Sequence, residues 1–345
     1  MTKLTIRLAE ERDQQNWDAY VLAHREGTIF HTMAWRSAIL SAFGHPSPYY
    51  LAEDGEQNIK GILPIIQLKS RLFGNILSSV PFASYGGPLA DDDQVFTLLM
   101  DLAKQVAAEY SCDYLELKFQ YPKPTGLPGT NLYWAFIKEL SADHETNMKA
   151  IPRKQRAMVR KGINSGLRAR YTPDFLPQFY DIFAENVQRM GTPVYPITWF
   201  ASLLQTFGDA AELMVIEHQG RIISGVLSFY YKDTVLPYYA ASSMKERVHA
   251  PNDFQYWELM RHAVDRGCAF FDYGRSKTDT GPFHFKKHWG FTPIPLHYQY
   301  LLHNLEKKPE INPTNPKYRL KIEAWKRLPG SLARWLGPNI VKYIP

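Results

Sequence analysis

The sequence predicts an α/β (α+β) protein of two tandem lobes, each a mixed sheet flanked by helices, followed by a basic tail. Three observations lead there. The same order of elements occurs twice along the 345 residues, a strongly basic helical stretch lies between the two copies, and an apolar strand, AFFDY, ends on Asp272 and runs into the polar turn GRSKTDTG. A chain of this length can bury two ordinary cores.

The first copy, residues 1–145, reads as strand TIRL, helices over 13–24 and 35–43, strands YYLAE and IKGILPIIQLK, a strand region SSVPFASYGGPL, a helix over 93–110, and strands DYLELKF and YWAFIKEL. The second, within 146–304, reads as strand LRARY, helices over 174–190 and 198–207, strands ELMVIE, RIISGVLSFYY and TVLPYYA, a helix over 252–266, strand AFFDY, a short basic helix in FHFKKHWGF, and strand TPIPLHYQYLL. Apolar residues recur at the 3.6 spacing in the helices, and short β-branched and aromatic runs mark the strands. The basic stretch 148–164 reads as a connector helix, and 305–345 as a third piece.

Composition is that of a folded protein, 45% hydrophobic and 21% charged. The two cysteines, Cys112 and Cys268, each precede a strand and read as small packing residues; no disulfide framework and no metal-ligand spacing is present. The eleven histidines are scattered, and the pair His284 and His288 lacks a third ligand, so no metal is expected. MTKLTIRLAEERDQQ has no apolar signal region, and no apolar run approaches the roughly 18 residues of a membrane span, so the chain is expected in the cytoplasm.

Net charge is +6, but unevenly spread. Residues 149–170 hold eight Lys or Arg and no acid, and 317–345 hold seven against Glu323 alone. The rest of the chain is net acidic. Two basic patches on an acidic body point to an anionic partner, such as a phosphate-bearing substrate, a lipid surface or RNA.

FHTMAWRSAILSAFGH, PFASYGGPLA, PNDFQYWELMRHAVDRGCAFFDYGRSKTDTG and FHFKKHWGF occur in that order, around the connector MKAIPRKQRAMVRKGINSGL. Together they resemble the FemAB (FemABX) aminoacyltransferase family, whose members pair two GNAT-like lobes. The likeness covers about 1–303 and is closest to the branch found with PEP-CTERM/exosortase exopolysaccharide systems. It implies transfer of an aminoacyl or acyl group onto an amine or hydroxyl of a cell-envelope precursor such as a lipid-linked glycan, with no DNA partner. The donor would be a co-substrate, aminoacyl-tRNA or an acyl thioester, and no cofactor would stay bound.

In a GNAT-like lobe the cofactor pyrophosphate lies on a glycine-rich loop against a helix N-terminus. The matching loop of lobe one, LADDDQ, carries three acids and should repel it. That of lobe two, SSMKERVHAPND, has no glycine but offers Lys245, Arg247 and His249 to a donor. Asp272 is the expected proton acceptor or substrate orienter; the alternative is a strand-end Asp that caps the GRSK turn or pairs with Arg275. Arg275 and Lys286 are expected to hold phosphate or a developing oxyanion, with Lys277 beside them and Lys287 pointing away. The alternative for these cations is a solvated helix face. Trp289 and Asn252 are assigned to substrate binding; the alternative for Trp289 is core packing. His31 and Trp35, at i and i+4, and Tyr85 in the turn SYGG are assigned to an acceptor pocket in lobe one; the alternatives are a capped helix whose aromatic plugs the lobe interface, and turn chemistry alone at Tyr85. Tyr239 would line the lobe-two cleft if its strand splays.

Two rival functions share these features: an acetyl-CoA-dependent GNAT N-acetyltransferase, and a non-catalytic membrane-surface scaffold of polysaccharide synthesis. The tail either meets an anionic membrane interface or folds back to bury its Trp residues on the lobes. Pro329 and Pro338 divide it into short helical pieces.

Overall fold

A computed structural model describes residues 4–308 and 316–345. The first three residues, the 309–315 part of the tail and the side chains of residues 316–319, Lys317 and Arg319 among them, lie outside the described residues. In the first half, β1 (Thr5–Leu8), α1 (Gln14–Ala23), α2 (Met33–Phe43), β2 (Tyr49–Glu53), β3 (Ile59–Pro64), β4 (Ile66–Ser70), β5 (Gly74–Ser78), β6 (Leu89–Ala90), α3 (Asp93–Glu109), β7 (Tyr114–Phe119), β8 (Gly129–Thr130) and β9 (Tyr133–Glu139) follow one another. The second half runs α4 (His144–Ala150), α5 (Arg153–Asn164), β10 (Arg168–Tyr171), α6 (Leu176–Arg189), α7 (Ile197–Phe207), β11 (Ala211–His218), β12 (Arg221–Tyr231), β13 (Thr234–Ser242), α8 (Pro251–Asp265), β14 (Phe270–Asp272), β15 (Ser276–Lys277), α9 (Gly281–His288), β16 (Pro293–Pro295) and β17 (His297–Leu302). The tail forms α10 (Pro316–Lys326) and α11 (Gly330–Val341).

The chain divides into two compact units, but not at residue 145. The first unit takes the residues up to Tyr133, those from Pro295 onward through β17, and Asn339–Pro345; the second takes Trp134–Ile294 and the tail helices up to Pro338. The reason is an exchange of closing strands. β9, expected to finish the first lobe, pairs antiparallel with β14, Phe271 opposite Lys138 and Asp272 opposite Ile137. β17, expected to finish the second, pairs antiparallel with β7, Tyr298 opposite Lys118 and Tyr300 opposite Glu116. Strand character is written in alternation, whereas the choice of partner depends on the whole fold.

The first unit holds sheets ordered β1-β2-β3-β6 and β4-β5-β7-β17-β8. α3 covers them with Val95, Leu99, Ala103 and Val106, which share a core with Leu63, Leu77, Leu115 and Leu117. The expected single strand IKGILPIIQLK is broken after Pro64 into β3 and β4, because proline cannot donate to the ladder.

The second unit is one sheet, β10-β11-β12-β13-β14-β9-β15, with β16 beside β9. Its core joins Phe254, Trp257, Met260 and Ala263 of α8 to Met214, Val226, Val235 and Phe271. α5 lies close on α8, since a Cβ at Gly162 would stand 2.6 Å from that of Phe254. The connector is two helices rather than one, divided at Pro152.

The tail folds back. The Gln188 amide donates to the Leu328 carbonyl at 2.7 Å, Arg334 meets Asp181 at 2.5 Å, Ile322 lies against Gly191, and Gly337 packs on Val194. Pro329 separates the two helices as expected, while Pro338 lies inside α11. The last residues belong to the first unit, where His45 Nε2 bonds the Lys342 carbonyl at 2.7 Å. Trp325 is half-buried, but Trp335 remains 69% exposed and Leu320 81%. No helix among the described residues is long and apolar enough to cross a membrane.

Candidate functional site

β13 and β14 run parallel, joined through α8, yet they pair only at Thr234–Phe270 and Val235–Phe271. β13 continues on β12 to Ser242, with a register shift between Leu227 and Ser228, whereas β14 stops at Asp272. The two strands therefore splay, and the exit of β14 opens beside the gap.

At that exit Asp272, 4% exposed, accepts the Gly274 N–H at 2.7 Å through Oδ1. Gly274 has φ +66°, a left-handed conformation that glycine supplies without strain. Asp272 thus does cap the GRSK turn. Lys286 reaches the same turn from α9. Its Nζ donates to the carbonyls of Tyr273 at 2.7 Å, Gly274 at 3.2 Å and Arg275 at 3.3 Å, and it lies 5.4 Å from the centre of the Phe136 ring. Three acceptors match the three hydrogens of an ammonium. Burial pulls this amine down to about 7, with Asp272 opposing and Arg275 reinforcing the shift. Lys287, next in sequence, is exposed. Burial, then Arg275, lowers Lys277 to about 8. Arg275 itself is half-buried.

A second set of groups adjoins this exit, of which the sequence singled out Trp289 alone. Trp289 is fully buried, and its indole N–H donates to Asp253 Oδ1 at 3.0 Å. Burial lifts the Asp253 carboxyl to about 6 despite that bond. Tyr256 and Tyr273 pack edge to face with ring centres 4.7 Å apart, and burial, helped by Asp253, pushes both phenols up. The Tyr273 hydroxyl is buried without a hydrogen-bond partner among the described residues. An Asp in a helix's first turn reads in sequence as ordinary dipole compensation, which hides Asp253.

The loop between β13 and α8 leaves Lys245, Arg247 and Asn252 exposed. Neither cation makes an ion pair among the described residues. Tyr239 does not line the gap. It is buried among Phe183, Tyr195 and Phe200, its hydroxyl accepting the Trp199 indole N–H at 3.0 Å. Alternation along β13 sends this side chain to the α6/α7 layer.

The first-unit residues assigned to an acceptor pocket are all buried. His31 is buried, its Nδ1 facing the Thr28 N–H at 3.2 Å and its Nε2 the Gly87 carbonyl at 2.9 Å. Trp35 is buried with its indole N–H directed to the Pro81 carbonyl at 3.4 Å, and Tyr85 is buried against Phe30. These bonds tie the irregular 79–88 segment to α2 and the turn before it. In the acidic loop, Asp92 caps α3 by accepting the Val95 N–H at 2.8 Å. β7 holds another feature missed in sequence: Lys118 and Glu116, both buried, 3.4 Å apart.

A groove of about 710 Å³ lies elsewhere on this unit, between α5, β10 and α8, with Trp257 and Leu167 among its apolar lining and Arg168, Arg170 and Arg261 among its charged residues. None of the strand-exit residues lines it.

Residues 149–287 match the acetyltransferase (GNAT) domain family. Among solved structures the chain is similar to FemX, with a TM-score of 0.67 at 14% identity over 92% of this chain and all of that one. It is also similar to a tandem GNAT protein from the clavulanic acid biosynthesis pathway, with a TM-score of 0.58 at 12% identity over 89% of this chain and all of the other. The C-terminal domain of a putative lysylphosphatidylglycerol synthetase from Agrobacterium fabrum gives 0.56 at 12% identity, covering 85% of this chain and 92% of that domain. No curated protein matches in sequence. The fold is a tandem pair of GNAT-like units.

Proposed function

We propose that the second unit is the catalytic centre of an acyltransferase of FemAB type. It moves an aminoacyl or acyl group onto an amine or hydroxyl of a cell-envelope or exopolysaccharide precursor at the cytoplasmic face of the membrane. The observation that carries this reading is the splay of β13 from β14, with Asp272, Arg275 and Lys286 gathered where the strands part.

In the reaction a neutral amine or hydroxyl attacks the donor carbonyl carbon, and the C–O or C–S bond to the carrier breaks. Arg275 faces the charge that develops on the carbonyl oxygen. Lys286 is a positioning residue: with its donors committed to three carbonyls, it fixes the turn that carries Arg275. Asp253, whose carboxyl changes protonation near pH 6, accepts the nucleophile's proton. Asp272 sets the turn rather than taking that proton.

The donor is read as aminoacyl-tRNA or an acyl thioester other than acetyl-CoA. A glycine-free loop with exposed Lys245 and Arg247, and an α5 whose Arg153, Lys154, Arg160 and Lys161 make no ion pair among the described residues, favour a large phosphate-bearing donor. The similar domain of a putative lysylphosphatidylglycerol synthetase fits an aminoacyl donor and a phosphate-bearing acceptor. Calorimetric titration with acetyl-CoA tests the choice. No micromolar binding is expected, and a micromolar Kd would move the reading to a CoA-dependent N-acetyltransferase.

A further inference from the structure

Among the described residues, the strand-exit site leaves one cluster of ligating side chains unused. His218 ends β11, while Glu246 and His249 belong to the loop between β13 and α8. Glu246 is the residue before a short 3-10 turn, Arg247–His249, and the His249 N–H donates to the Glu246 carbonyl at 3.0 Å. Residues at i and i+3 eclipse in such a turn, so the carboxylate and the imidazole emerge on one side.

His218 approaches that side from β11, which β12 separates from β13 in the sheet. Its Nδ1 lies 3.9 Å from Glu246 Oε2, His249 Nε2 lies 3.7 Å from the same oxygen, and the two imidazole centres are 4.2 Å apart. One ligating atom from each residue falls within 4.8 Å of the others. All three side chains are partly exposed, so an ion can reach them.

We propose that His218, Glu246 and His249 form a binding site for a divalent transition-metal ion of the zinc class. Two imidazoles and a carboxylate are the ligand types such ions prefer, and three protein ligands leave a fourth position to water or an anion. Tetrahedral zinc with bonds near 2.1 Å sets its ligand atoms about 3.4 Å apart. The observed separations from Glu246 Oε2 therefore close onto an ion by about half an ångström. Hard ions such as Mg²⁺ and Ca²⁺ prefer all-oxygen sites and are discriminated against.

Bound metal joins the end of β11 to the loop that opens α8 and adds positive charge beside Lys245 and Arg247. Sequence spacing cannot announce the site, because His218 comes from a different hairpin.

The test is calorimetric titration of the EDTA-treated full chain with ZnCl₂, and separately with MgCl₂, together with the visible spectrum of the Co²⁺-loaded protein. One Zn²⁺ per chain is expected, with no Mg²⁺ uptake, intense four-coordinate Co²⁺ bands and a raised Tm. His218→Ala, Glu246→Gln and His249→Ala should each weaken Zn²⁺ binding at least about tenfold, while keeping the metal-free Tm of the wild type. Absence of stoichiometric Zn²⁺ binding, or unchanged affinity in both His218→Ala and His249→Ala, would overturn the proposal.

Discussion

Trp289 donates its indole N–H to the Asp253 carboxylate at 3.0 Å, fastening the residue that ends α9 to the first turn of α8. The bond favours the ionised carboxylate, yet burial outweighs it, and the carboxyl is lifted from 3.8 to about 6.

That balance has a pH signature. A carboxyl with a raised folded-state pKa holds its proton better when folded. Its contribution to stability is complete below the unfolded value of 3.8 and is lost as pH rises through about 6. Relative to Asp253→Asn, the wild type is expected to lose on the order of 2 kcal/mol of stability between pH 4 and 6.5, measured by urea denaturation at each pH. Parallel profiles would contradict it. In a transfer assay the wild-type rate should rise through pH 6, and the Asn variant should be slower by about 100-fold.

Lys286→Met should act first on the turn. Three carbonyls, of Tyr273, Gly274 and Arg275, lose a buried donor, which should cost ~1–3 kcal/mol and quicken proteolysis within 274–280. A variant as stable and as protease-resistant as the wild type would remove the positioning role. Arg275→Ala should instead slow transfer at least about tenfold.

The exposed cations of α5 predict salt-sensitive binding. With a mixed tRNA probe, Arg153→Glu, Arg160→Glu and Lys161→Glu combined should weaken binding and flatten its dependence on salt concentration, since fewer counterions are released. Unchanged affinity and slope would show that this helix face is merely solvated.

For the tail, truncation is a poor test, because it would also expose Gly191 and Val194. Trp335→Ser is cleaner, its side chain being largely exposed. If α11 meets an anionic interface, this variant should keep its Tm but co-sediment less with phosphatidylglycerol vesicles at low salt. Equal co-sedimentation excludes Trp335 as an anchor.

Much of the fold was legible because it is local. The 3.6 spacing of Val95, Leu99 and Val106 marks α3, and the run RIISGVLSFYY marks β12. Proline breaks were legible only in part. Pro329 ends a helix, Pro64 and Pro152 divide elements read as continuous, and Pro338 is accommodated within α11. The exit of β14 was found because an apolar strand ending on Asp and glycine has a direct physical reading. The Asp253–Trp289 bond and the His218–Glu246–His249 group were not found, since their members lie 36 residues or different hairpins apart. His31, Trp35 and Tyr85 read as pocket residues because polar and aromatic side chains suit a pocket; all three are buried, and Nε2 of His31 and the indole nitrogen of Trp35 face backbone carbonyls.

The exchange of β9 and β17 also bears on how the chain is made. β7 leaves the ribosome with all six residues destined for burial, while the strand that covers its edge, β17, emerges only after residue 302. At ordinary elongation rates that is a delay of roughly ten to forty seconds. Throughout it, the nascent first unit presents an unpaired strand edge, a template for pairing with another chain. Synthesis of this protein therefore carries a built-in demand for chaperone cover, and a nascent chain stalled near residue 145 is expected in the insoluble fraction.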